Sequence, residues 1–287
     1  HSSPRRQRQM CIRDSSRYLS VRTLDQIYKM HVRPHLDYCD IIFHIPKIFN
    51  PFDSSIHLNY MMNSLEQTQY QAALAITGAW KGTNRNKIYE ELGWESLSDR
   101  RWSRRLFQVY KIQNNYTPTY LKSPMPTLRT HLFGLRTDNV IHEIKCRTNR
   151  YSGSFYPHSV KCWNDIGPEL REASSLSIFK ANILKLIRPL KKDIFGLHDP
   201  IGVKRLFQLR VGLSPLKYHK MKHNFRDTLS DICDCRDESE TLKHYLLHCI
   251  NYADVRHVFM ESIAPILLDN NLQSLQETLM VKLLLYG

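Results

Sequence analysis

Apolar positions recur at helical rather than strand spacing along most of the chain. Leu24, Ile27, Tyr28 and Val32 share one helical face. Pro34, which lacks an N–H and crowds the preceding turn, interrupts or kinks that run. Ser64 and Gln67 have the form of a capping box ahead of Leu65, Ala72, Ala73 and Ile76, with Gly78 as the stop. A short helix from Lys87 is expected to end at Gly93, because glycine adopts the left-handed conformation of a C-terminal cap. Ser98 opens a longer helix whose stripe is Trp102, Leu106 and Val109. Arg100, Arg101, Arg104 and Arg105 lie off that stripe, which leaves them to face solvent or phosphate.

From Thr117 to Arg150, the prolines at 118, 124 and 126 and the polar clusters predict irregular chain, with a short strand over Val140–Cys146. Phe155-Tyr156-Pro157 begins a compact stretch that includes Trp163. Ser174 or Ser175 caps a helix carrying Ile178, Phe179, Ile183, Leu186 and Ile187, closed by Pro189. The expected class is mainly α. Its parts are a helical bundle over 16–125, a connecting region with short helices over 126–199, and a basic helix plus a small helical module over 200–287.

At 287 residues with 42% hydrophobic positions, the chain can bury real cores and is not disordered as a whole. No apolar run approaches the roughly 18 residues of a membrane span, so no membrane partner is expected. Seven cysteines, an odd number, fit a reducing intracellular compartment, nuclear or cytoplasmic. Residues His1–Ser15 have no apolar period and no signal-peptide core. Within them Met10-Cys11-Ile12-Arg13-Asp14-Ser15 looks like a translated transposase adapter, the alternative being a basic arm that contacts nucleic acid. Without that tail the net charge falls from +14 to about +11, still a balance that favours an anionic partner.

Charge reverses sharply near the C-terminus. Residues 200–226 hold Lys204, Arg205, Arg210, Lys217, Lys220, Lys222 and Arg226 and no acid, whereas 227–287 hold ten acids against four bases. Immediately after the basic block come Cys233, Cys235, His244, His248 and Cys249. Average cysteine density predicts about 0.4 in such a 17-residue window; here there are three. Thiolates and imidazole at these spacings suit a closed tetrahedral Zn²⁺ site. In a regular helix His244 and His248 share a face, while His244 and Cys249 are rotated about 140° apart. Cys249 joins His244 only if the helix loosens at its last turn. The favoured ligands are Cys233, Cys235, His244 and Cys249, with His248 as the substitute. Cys11, Cys39, Cys146 and Cys162 are isolated and read as small hydrophobes.

No phosphate-cradling glycine loop, H-E-x-x-H or G-x-S-x-G occurs. Nucleotidyl transfer needs paired carboxylates holding two metal ions. The nearest acid pairs, Glu90-Glu91 and Asp237-Glu238, sit in ordinary exposed or loop-like sequence. Tyr252-Ala253-Asp254 matches three residues of a polymerase Tyr-x-Asp-Asp turn, but Val255 replaces the second aspartate and the segment reads as a helix start. The expectation is a chain that is not itself an enzyme.

Leu74-Ala75-Ile76-Thr77-Gly78-Ala79-Trp80-Lys81-Gly82-Thr83, followed by Tyr89-Glu90-Glu91-Leu92-Gly93-Trp94-Glu95-Ser96-Leu97-Ser98-Asp99-Arg100-Arg101, resembles the post-polymerase region of non-LTR (LINE-type, jockey-like) retrotransposon reverse transcriptases. So do Tyr156-Pro157-His158 leading to Trp163-Asn164, and Leu209-Arg210-Val211-Gly212-Leu213-Ser214-Pro215-Leu216. The likeness spans about 16–287. It implies a helical thumb over 16–125 and a zinc-knuckle-like motif on Cys233, Cys235, His244 and Cys249. It also implies template RNA and target DNA as partners, and a parent polypeptide whose missing fingers and palm carry the catalytic aspartates and magnesium. Phosphate contacts are then expected at Arg100, Arg101, Arg104, Arg105, Lys204, Arg205, Arg210, Lys217, Lys220 and Lys222. On this reading the chain is a fragment cut at both ends. The other readings are an independent, domesticated zinc-containing nucleic-acid-binding protein and an inactive relic.

Overall fold

A computed structural model describes residues 19–43, 56–128, 140–188, 199–270, 272 and 275–286, with backbone alone for 56–62. The adapter-like tail and the closing Pro189 lie outside these residues. The described chain is mainly helical. In order, its helices are α1 (Val21–Ile27), α2 (Arg33–Asp37), α3 (Asp40–Phe43), α4 (Ile56–Thr77), α5 (Arg85–Leu92), α6 (Leu97–Gln113), α7 (Thr119–Lys122), α8 (Asn149–Ser152), α9 (Phe155–Asp165), α10 (Pro168–Arg171), α11 (Leu176–Ile187), α12 (Pro200–Val211), α13 (Lys217–Lys222), α14 (Ala253–Asp269) and α15 (Glu277–Tyr286). None of the described helices is long and apolar enough to cross a membrane.

Local signals account for most boundaries. Between α1 and α2 the chain widens into a π-helical turn over Tyr28–Val32, just ahead of Pro34. The proline ring would collide with the carbonyl four residues earlier, and the wider turn relieves that crowding. Gly78 and Gly93 end their helices in the left-handed region, at φ 68° and 65°. Three expected starts move. Ser96 rather than Ser98 caps α6, accepting from the Asp99 N–H at 3.1 Å. Asn84 caps α5, three residues before Lys87. Ser64 lies inside α4, where its carbonyl accepts from Thr68 Oγ1. Of the two candidates Ser174 and Ser175, Ser175 caps α11.

No strand forms over Val140–Cys146. Ile141 makes one isolated bridge to Leu128. Its N–H donates to Asn164 Oδ1 at 3.0 Å, and its carbonyl accepts from Asn164 Nδ2 at 2.9 Å. One asparagine amide thus satisfies the backbone groups that a second strand would have paired.

Two cores organise the helices, and they cut across the expected boundaries. In the first, Leu24, Tyr28, Ala73, Ile76, Ile88, Leu92 and Leu97 pack with Val203, Phe207 and Val211 of α12. The basic helix therefore belongs with the N-terminal helices rather than with the cysteine module. In the second, Leu106, Val109 and Ile112 of α6 pack with Val160, Trp163, Phe179 and Ile183. Helix α6 enters both: Leu97 sits in the first core and Leu106 in the second.

The arginine face of α6 is not turned to solvent. Arg100, Arg101 and Arg105 are buried. Arg100 pairs with Asp37. Arg104 donates to Asp40 Oδ2 at 3.0 Å and to the Asp37 carbonyl at 3.1 Å. Arg105, fully buried, donates to the carbonyls of Ile41 and Gly153 and to His158 Nδ1 at 3.0 Å. Burial, with the Arg105 charge beside it, pulls His158 down to about 4, so its neutral ring can accept that bond. Periodicity located the polar face correctly, but not the two aspartates upstream that cover it. Replacing Asp37 by Ala strips Arg100 of its carboxylate. Urea denaturation should show a loss of about 3–5 kcal/mol; a loss below about 1 kcal/mol would refute the clamp.

Candidate metal centre

The C-x-C segment sits on a tight knuckle. An isolated antiparallel bridge between Ile232 and Ser239 pins its two ends. Inside it, the Cys233 N–H donates to the Glu238 carbonyl at 2.9 Å, and the Arg236 N–H donates to the Cys233 carbonyl at 2.9 Å. Arg236 takes a left-handed φ of 66° to let the chain reverse. This geometry aims both sulfurs to the same side.

The other two ligands come from the following turn. Thr241 accepts the His244 N–H at its Oγ1 and the Tyr245 N–H at its carbonyl. From there the chain forms not a regular helix but a π-helical turn over His244–His248. The Cys249 N–H closes it onto the His244 carbonyl, five residues back, at 2.8 Å. The looser winding swings Cys249 toward the face of His244, which is the loosening that the spacing required. Cys249 itself then leaves helical geometry, at φ −56° and ψ 122°.

Ligand atoms of Cys233, Cys235, His244 and Cys249 all lie within 4.8 Å of one another. Cys233 Sγ and Cys249 Sγ are 3.6 Å apart, and Cys235 Sγ lies 3.2 Å from His244 Nε2. Tetrahedral Zn–S bonds of about 2.3 Å place neighbouring sulfurs about 3.8 Å apart. The cluster is therefore of a size to hold a metal ion. Cys233, His244 and Cys249 are buried and Cys235 is half-buried. His244 turns Nε2 to the sulfurs; its buried Nδ1 has no hydrogen bond, and Glu238 Oε2 lies 3.6 Å away. A carboxylate behind the second ring nitrogen is the arrangement that orients a metal-bound histidine. Burial pushes the Cys233 thiol up, whereas the backbone N–H of Asp237 pulls Cys235 down. Cys235 is the first of the pair to become a thiolate.

His248 does not substitute as a ligand. It is exposed, and its Nε2 lies 3.3 Å from Glu277 Oε1. In the sequence Glu238 reads only as half of a loop-like acid pair, because nothing in spacing alone turns it toward a ring six residues further on.

The cations expected on phosphate divide into two sets. Arg210 is drawn inward: its guanidinium reaches Glu91 Oε2 at 3.3 Å, donates to the Leu285 carbonyl and stacks over Tyr286. Glu91 is thus a buried structural carboxylate, not half of a metal-binding pair. Lys217 pairs with Asp234, and Lys220 with Asp227 at 2.9 Å. Part of the basic block is therefore answered by the acidic segment that follows it. Lys204 is half-buried against Gly78, while Arg205 and Lys222 are exposed. Asp254 falls in the first turn of α14, as a helix start should. A second Cys–His contact joins Cys162 Sγ to His158 Nδ1 at 3.4 Å. Burial drives that thiol up to about 11 and holds the imidazole neutral.

His248→Ala should leave Co²⁺ uptake and its thiolate charge-transfer absorption unchanged, while His244→Ala should weaken uptake at least about tenfold. In the metal-free chain near neutral pH, iodoacetamide should label Cys235 before Cys233. Equal loss of uptake in both variants, or Cys233 labelled first, would refute the ligand assignment. No protein-family model, curated protein or solved structure matches this chain.

Proposed function

We propose that this chain is a non-catalytic, nucleic-acid-handling region of a non-LTR retrotransposon reverse transcriptase, with a structural zinc ion on Cys233, Cys235, His244 and Cys249. The observation that carries the reading is the meeting of those four side chains within 4.8 Å. Their order, C-x-C-x8-H-x4-C, is the one that the resemblance assigns to the family's zinc-knuckle-like motif. Three thiolates and an imidazole favour zinc over magnesium or calcium, which take oxygen ligands. Four protein ligands leave no open position for substrate, so the ion's contribution would be folding rather than chemistry.

The residues around the centre supply the rest. Glu240 accepts the Lys217 N–H at 2.7 Å, at the start of α13, and Lys243 pairs with Glu277 of α15. The metal would thus fix a knuckle that is tied on one side to α13 and on the other to α15. Template RNA and target DNA are the partners of this reading, met through phosphates by exposed cations such as Arg205, Lys222 and Arg226. Magnesium and the polymerase carboxylates would belong to the parent's palm. A nuclear or cytoplasmic setting keeps the three thiolates reduced.

Purified protein should carry close to one zinc per chain. Structural zinc supplies apparent binding free energy on the order of 10 kcal/mol. A chelator should therefore melt the segment 230–252 and expose Cys233 and Cys249 to alkylation. The helices of both cores should persist by circular dichroism. Absence of zinc, with both cysteines alkylated in the native state, would refute the centre. With Mg²⁺, a primed template and nucleotides, no extension is expected, because paired carboxylates are needed to place two metals. Polymerisation by the purified chain would overturn the non-catalytic assignment.

A further inference from the structure

Two acid-free stretches of the sequence, 67–89 and 200–226, are separated by more than a hundred residues, yet the fold sets them side by side. Gln208 Nε2 donates to the Gly78 carbonyl at 2.6 Å, and the Lys204 stem lies against Gly78. At the outer edge of this seam the rings of Trp80 and Phe225 meet, with centroids 5.0 Å apart and planes tilted by 48°.

Each ring is held by a closed turn. On the Trp80 side, Thr83 donates to the Trp80 carbonyl through both its N–H (3.1 Å) and its Oγ1 (2.7 Å), and the Tyr70 hydroxyl donates to the Thr83 carbonyl at 2.7 Å. Gly82, at φ 102°, crowns this turn with open space where a side chain would stand. On the Phe225 side, Asn224 at φ 54° turns the chain just after α13, and the Phe225 N–H donates back to the Lys220 carbonyl at 3.0 Å. The rings are half-buried and held in place before any ligand arrives.

Around them the charge has one sign. Lys81 follows Trp80, Arg85 opens α5, Lys222 ends α13 and Arg226 follows Phe225; all four are exposed, with no carboxylate partner among the described residues. The one acid in these turns, Asp227, is taken by Lys220 at 2.9 Å.

We propose that this seam is a binding surface for single-stranded nucleic acid. Phosphates would lie on Lys81, Arg85, Lys222 and Arg226, and an unpaired base would stack against the Trp80–Phe225 pair. The inference rests on the nucleic-acid reading above but locates contact away from the metal centre and away from the arginines of α6. A single strand fits better than a duplex, because stacking needs a base face that pairing does not bury, and every base has one. Phosphate and ring-face contacts do not read the 2′-hydroxyl, so RNA and DNA strands should bind alike.

The test uses the full zinc-loaded chain and fluorescence anisotropy with labelled oligouridylate of about 20 nucleotides, its oligothymidylate counterpart and a duplex of equal length. Lys81→Gln, Arg85→Gln and Arg226→Gln combined should weaken strand binding about tenfold or more. They should also lower the log–log salt slope by about 2, since each single-strand phosphate contact contributes roughly 0.7. A control triple of equal charge, Lys145→Gln, Lys161→Gln and Lys185→Gln, should change neither. Phe225→Leu, checked for fold by circular dichroism, should cost about fivefold or more with the salt slope unchanged. Normal binding by the seam triple, equal loss in the control triple, or a duplex bound as tightly as the strand would overturn this surface while leaving the proposed function standing. RNA and DNA differing by more than about tenfold would overturn the contact mode. An unaltered chain that binds no nucleic acid would remove both this surface and the nucleic-acid reading.

Discussion

Guanidinium groups on one helix have been drawn away from water, Arg100 and Arg105 fully and Arg104 in part, and the arrangement of the helices depends on the polar groups that receive them. Arg100 and Arg104 are received by Asp37 and Asp40, and Arg105 by two carbonyls and a neutral histidine. A buried cation without such partners costs several kcal/mol. The clamp therefore fixes where α2 and α3 lie across α6. Because α6 also contributes Leu97 to one core and Leu106 to the other, fixing it orients both cores. A second polar chain supports the first core from within: Trp94 Nε1 donates to Asp25, and Tyr28, stacked on Trp94, donates to Gln69, which donates to the Glu95 carbonyl. Buried polar groups that are fully paired in this way specify one packing rather than several.

The cysteine module is organised differently. Between 227 and 252 the buried side chains are Cys233, His244 and Cys249, with no aliphatic core of their own. A segment that cannot bury apolar area needs another source of stability, and a metal bound by four side chains is one. The knuckle and the π-helical turn supply the backbone geometry, and contacts from Lys217, Glu240 and Arg256 tie it to its neighbours.

Charge in the C-terminal third is partitioned rather than uniformly displayed. Arg210 is spent on Glu91 and Tyr286, inside the protein, while Lys217 and Lys220 answer Asp234 and Asp227 nearby. Such pairing lowers the field of the block as a whole and leaves the exposed cations at its edges as the strongest local sources. Formal charge counted along the chain overstates what a polyanion would meet there and misses what Lys81 and Arg85 add from elsewhere.

Helical periodicity, the glycine stops at Gly78 and Gly93, the Ser175 cap and the ligand set of the candidate metal centre were all readable in the amino-acid order. Each depends on interactions within about twenty residues, and the chemistry of the residue types carries the signal. Even the loosened turn before Cys249 followed from spacing, because a regular helix would have turned that thiol away. What the order of residues did not determine was long-range neutralisation and neighbourhood. Asp37 and Asp40 cover arginines more than sixty residues away, Asn164 replaces the partner strand of Ile141, and α12 joins the first core instead of the cysteine module. An arginine on the polar face of a helix has the same local pattern whether water or a distant carboxylate receives it, so only the tertiary structure could decide.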